Sequence, residues 1–140
     1  MMMEKITFDA GVKRYRINGG GVLQFNPADP NLYQRFMEAV EQIKQLEQEM
    51  AGGDEEPLAK LCRVDGQIKK ILSWVFGGEN DFDALLGGVN LLAAASNGQP
   101  VVSNLLQALL PVLTEGARMC AGVQVQQAKE KAQSRRQSQC

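Results

Sequence analysis

From Val101 to Val123 the chain carries its most apolar stretch, in which Val102, Leu106, Leu109, Leu113, Ala117, Cys120 and Val123 recur every three or four residues. That rhythm predicts an α-helix with these side chains along one buried face. Leu105, Leu110 and Val112 fall off the stripe, so the pattern predicts a helix covered on more than one side, as inside a bundle. Two earlier segments share the period. Leu32, Phe36, Ala39 with Val40, Ile43, Leu46 and Met50 oppose Glu38, Glu41, Gln45 and Gln48, and Leu58, Leu61, Ile68, Leu72 and Val75 form the next stripe. Asp29-Pro30 marks the first of these helices, with Asp29 as N-cap and Pro30 where its missing N–H costs nothing. Gly52-Gly53 stops it. Asp54-Glu55-Glu56-Pro57 opens the second with acidic groups at the positive end of the helix dipole, and Gly77-Gly78 closes it. Their short linker predicts an antiparallel hairpin, preferred here over pairing of the first stripe between subunits. Trp74 and Phe76 are expected to pin the second helix to the long one, and Pro111 to kink the long one, leaving a carbonyl near Gln107 without its donor.

A period of two appears only at the start. Ile6-Thr7-Phe8-Asp9, Lys13 to Ile17 and Val22 to Phe25 are short and β-branched or aromatic, with turn residues at Asp9-Ala10-Gly11 and Asn18-Gly19-Gly20-Gly21. They predict a three-stranded antiparallel meander whose edge must pack or pair. Between Phe76 and Pro100 lie two Gly-Gly pairs and a short apolar run, Phe82 to Leu86, with Asn80 and Asp81 as caps. The fold class is therefore mostly α, a helical bundle with a small N-terminal β-meander. A single domain is expected over 1–128, with the meander at about 4–26, the helical part at about 29–128, and a basic flexible tail at 129–140. Phe36, Ile43, Leu61, Ile68, Leu72, Leu106, Leu109 and Leu113 are the expected core.

Composition narrows the chemistry. A chain of 140 residues with 44% hydrophobic content supports one compact domain. Fifteen basic against sixteen acidic residues leave a formal charge of -1, which provides no global attraction to nucleic acid. Lys129, Lys131, Arg135 and Arg136 give the tail a local basic character, but it lacks aromatics for stacking on bases. The absence of histidine removes the commonest general base and most zinc chemistry. Cys62, Cys120 and Cys140 are too scattered to chelate a metal or exchange disulfides, and read as two core thiols and one exposed terminal one. Glu79, Asp81 and Asp83 invite a calcium loop, yet Leu85 and Leu86 stand where it needs an oxygen ligand and glycine. No catalytic residue, cofactor, metal or small-molecule substrate is expected. The start lacks a signal-peptide run, and Ser96 to Pro100 divides the long uncharged span, so a cytoplasmic protein without a membrane helix is expected.

Two stretches carry a resemblance. Phe25-Asn26-Pro27-Ala28-Asp29-Pro30-Asn31-Leu32-Tyr33 runs into a helix rich in Gln and Glu; later come Val75-Phe76-Gly77-Gly78, Gly88-Val89-Asn90-Leu91 and Asn97 to Leu106. These resemble the small tail assembly chaperones encoded by tailed bacteriophages of Gram-positive hosts and their prophages, over most of the chain. The basic, Gln-rich tail departs from that family's core. The resemblance implies a non-enzymatic factor in the bacterial cytoplasm that binds the long helical tape-measure protein, keeps it soluble during tail assembly, and self-associates. A structural tail or head–tail connector subunit retained in the virion is the alternative, and a small enzyme a remoter one. The expected partner surface combines Leu32, Phe36 and Val40 with Leu105 and Val112, in a groove opened between the first helix and the long helix displaced at Pro111.

Overall fold

The computed structural model describes residues 2–138; Met1, Gln139 and Cys140, with its expected terminal thiol, lie outside the described residues. Six elements follow in order: strands β1 (Lys13–Arg16) and β2 (Val22–Phe25), then helices α1 (Pro30–Glu49), α2 (Pro57–Phe76), α3 (Phe82–Leu85) and α4 (Val101–Ser138). The fold is mostly helical with a small N-terminal antiparallel sheet.

Local chemistry places the helix ends. Asp29 accepts from the Asn31 N–H at 2.9 Å with Pro30 in the first turn, and Glu56 accepts from the N–H groups of Leu58 and Ala59 ahead of α2. α1 and α2 pack on each other as an internal hairpin. α1 contributes Leu32, Phe36, Ala39 and Ile43; α2 contributes Val64, Ile68, Leu72, Val75 and Phe76. The first two turns of α2 differ from expectation: Leu58 is exposed and Leu61 only half-buried, because the buried face runs through Lys60 and Val64. Lys60 can occupy it because its amine donates to the Gly52 carbonyl and so caps the α1–α2 turn, while its methylenes lie against the core.

The sheet has two strands, not three. Lys13 pairs with Phe25 and Arg16 with Val22, around a turn in which Asn18 and Gly19 both take positive φ and the Gly20 N–H donates to the Ile17 carbonyl at 2.8 Å. Ile6 to Asp9 forms no strand. Asp9 spends its carboxylate on the Gly11 N–H, and Asn26 donates to the Ala10 carbonyl at 3.0 Å. The chain thus enters β1 tied to the end of β2, with no turn that would bring Ile6 to Phe8 back along β1.

On its far side β2 meets a side chain. Asn80, buried, accepts from the Gln24 N–H at 3.0 Å and donates to the Gln24 carbonyl at 2.9 Å, matching both backbone groups as a third strand would. It also donates to the Phe76 carbonyl, while Arg35 donates to that of Val75, so the last carbonyls of α2 find partners. Asp81 alone caps α3; Asn80, expected to share that task, spends its side chain on β2 and α2. Phe76 is the aromatic hub, 5.0 Å from Phe25, 6.4 Å from Phe36 and 5.6 Å from Phe82. Trp74 lies half-exposed on the opposite side of α2 and pins nothing to α4. A polar knot fastens the connector: Lys69 donates to Asp65 at 2.9 Å and to Asp83 at 2.6 Å, and Asp65 accepts from the Leu91 N–H.

α4 departs most from the pattern. Val102, Leu109 and Leu113 are buried, Leu106 is half-buried, and the stripe then loses its cover: Cys120 is partly exposed and everything from Ala121 to Arg136 is exposed. The reason lies in a neighbour's length. α4 lies along α1, whose first residue is Pro30, and at Gly116 it rests directly on the backbone leading into α1; a Cβ there would fall 1.9 Å from the Pro27 carbonyl oxygen. Beyond that point α1 offers nothing to pack on. At 1.5 Å per residue the rest of α4 projects about 33 Å. The residues expected to form a flexible tail continue this helix to Ser138, and it is unbroken through Pro111, which faces solvent with Gln107. Neither thiol is a core one: Cys62 is exposed.

Candidate interaction surface

Because α4 packs on the body with one face only, a groove opens on each flank. The first lies between α1 and α4, about 250 Å³, with Phe36 and Ile43 as floor and Met37, Val40, Leu106 and Leu110 as walls. Met37 and Leu110 each remain 40% exposed, although Leu110 reads in sequence as a sign that α4 is enclosed. Lys44 and Glu47 stand at its rim. Burial pushes the Glu47 carboxyl above its usual range, and the nearby Lys44 charge opposes this only in part. The wall continues onto the projecting half of α4 as Ala117, Ala121, Val125, Ala128 and Ala132, at spacings of three and four.

The second groove, about 450 Å³, separates the β-hairpin from the other flank of α4. Tyr15 and Ile17 line it from β1 and its turn, and Val101, Leu105, Ala108 and Val112 from α4. Its apolar line runs on to Met119 and Val123, 60% and 52% exposed.

The five residues expected to share one partner surface are divided by this geometry. Leu32 is buried in the core, Phe36 is buried as the floor of the first groove, and Val40 lines that groove. Leu105 and Val112 line the second. They cannot form one site, because Leu105 and Val112 project from a different flank of α4 than Leu106 and Leu110. No displacement at Pro111 is required, since both grooves follow from α4 lying on the surface. Met37 and Leu110, missed as surface residues, had a signal: their stripes are wider than the face one neighbour can cover.

The polar groups are arranged for structure. Burial works to lower the Lys69 pKa, but the hydrogen bonds its amine donates to Asp83 and Asp65, together with their charges, outweigh it and hold the amine above its ordinary value. An amine so held is a permanent cation rather than a proton acceptor near neutral pH. Arg63 with Glu55 and Arg118 with Glu115 are exposed pairs of small energetic consequence. Among the described residues no three His, Cys, Asp or Glu side chains gather to hold a metal, and no helix is long and apolar enough to cross a membrane. Compared with known proteins, the chain matches no family model, no curated protein and no solved structure.

Proposed function

We propose that this chain is a non-enzymatic tail assembly chaperone, acting in the cytoplasm of a bacterial host, that covers an apolar helical face of the tape-measure protein until tube subunits replace it. One observation carries the reading. The groove between α1 and α4 has two helical walls and an apolar floor, and one wall runs on along a helix that leaves the body of the protein. A helix laid beside Met37, Val40, Leu106 and Leu110 and onward past Ala121 and Val125 would be gripped in the helix-in-groove manner. The contact of one copy is narrow, so tight capture of a long chain requires many copies along it.

The test is co-expression with the tape-measure protein of the same prophage. Wild-type protein is expected to keep that chain soluble and to co-elute with it, whereas the double variant Met37→Lys, Val125→Lys is expected to lose both effects while melting normally. A tape-measure chain equally soluble alone would sink the reading. A stoichiometric band in purified virions would replace it with a structural tail or connector subunit.

A further inference from the structure

The second groove has a wall of another kind, the edge of a strand. Gln24 turns its backbone N–H and C=O away from β1 to bond Asn80, so its cross-strand neighbour Arg14 must turn its own groups outward, on the open side of β1. Arg16, two residues on, does the same, and no backbone bond claims these groups among the described residues. The same strand directs Tyr15, and the turn after it Ile17, into the groove beside Leu105, Ala108 and Val112. The site therefore offers a row of backbone donors and acceptors next to an apolar trough, the arrangement that takes up an extended segment by strand addition.

The chain also supplies a segment of that description. Residues 2–12 run without regular secondary structure and are all exposed. Ile6 and Phe8, 91% and 80% exposed, alternate with Lys5 and Thr7, so both point to one side of an extended chain. Solvent is a costly place for them. Glu4 and Asp9 against Lys5 leave the arm one negative charge, while the waiting edge carries Lys13, Arg14 and Arg16, of opposite sign. The arm cannot serve its own edge: Ala10 is tied to Asn26 at the end of β2, so doubling back along the outer side of β1 would break that bond and the Asp9 turn.

From this placement we infer that the N-terminal arm of one copy adds as a third strand to β1 of a second copy, seating Ile6 and Phe8 in the groove between hairpin and α4. Seven residues, Met2 to Phe8, span about 23 Å when extended, enough to cover the four-residue strand and the groove beside it. Exchanged reciprocally, two arms and two grooves bury twice the surface of one, toward the ~1,200–2,000 Å² of a stable pair. The inference stands apart from whatever the α1–α4 groove binds, and either can fail without the other.

Light scattering behind size exclusion on the full chain tests it, at concentrations from about 1 to 100 μM. Wild type is expected to associate; Ile6→Asp with Phe8→Asp, and separately Ala108→Glu, are expected to weaken association at least about tenfold while leaving the melting transition in place. Mixing the two variants restores only one arm–groove contact of the two, so the mixture is expected to associate more weakly than wild type and more strongly than either variant alone. A wild type that stays monomeric at the highest concentration overturns the inference. So does association that survives loss of Ile6 and Phe8, or that survives Ala108→Glu.

Discussion

Up to Gly116 and after it, α4 is one unbroken helix held in two different ways. The first part is fastened by neighbours: Val102, Leu109 and Leu113 are buried, and Gly116 lies on the Pro27 backbone. The second part keeps slight cover at Ala117 and Cys120, is exposed from Ala121 to Arg136, and is held by its own sequence. Gln, Ala, Arg and Lys dominate it; Gln126 bonds Glu130 one turn on, and Arg135 and Arg136 sit at the negative end of the dipole. A helix of that length without packing is close to balance in water. Continuity of a helix, then, says little about how firmly each part is held.

The comparison breaks most directly at Gly116. Replacing it by Ala drives a Cβ into a backbone carbonyl that cannot rotate away, and more than about 3 kcal/mol of stability is expected to be lost, read as a fall in the denaturation midpoint. Unchanged stability would mean that α4 does not seat on Pro27. The next test sets Leu109→Ala against Val123→Ala. The first empties a core position and is expected to cost about 2–3 kcal/mol; the second, on the same helix, is expected to stay within about 0.5 kcal/mol. Similar losses at both positions would show that the projecting half is packed. The smallest effect is a gain. At Gly122 an added Cβ meets nothing, so Gly122→Ala should favour the local helix by about 0.5–1 kcal/mol. Hydrogen exchange of neighbouring amides should slow while the global midpoint stays put, because the projecting half opens by itself.

Where α4 leaves the core could not be read from α4. Its apolar rhythm continues to Val123, and burial stops earlier because α1 begins at Pro30 and covers no further. The ends of α1 and α2 were legible because Asp29-Pro30, Glu56-Pro57 and Gly77 act within one turn. The face of α2 was legible from Ile68 onward and misplaced before it, since a lysine such as Lys60 is passed over by any count of apolar residues. Ile6 to Phe8 has the composition of a strand, but a strand needs a partner, and the ties at Asp9 and Asn26 withhold the one within reach. Of the candidate surface, Leu105 and Val112 were recognisable as apolar positions outside the densest stripe, and Val40 as a member of its own. That they serve different grooves depends on which flank of α4 the hairpin occupies, a long-range arrangement. Asn80 left no signal, as its partner Gln24 is 56 positions away.

Asn80 also bears on how this protein behaves at high concentration. Runaway stacking of sheets into fibrils needs two open edges on every unit, so that each addition exposes a fresh template. Here one carboxamide occupies an edge permanently, from inside the core and at no cost in exposed charge. Edge-to-edge stacking of the sheets therefore ends with a single β1–β1 pairing, and association by way of the arm has to close on itself to stay finite.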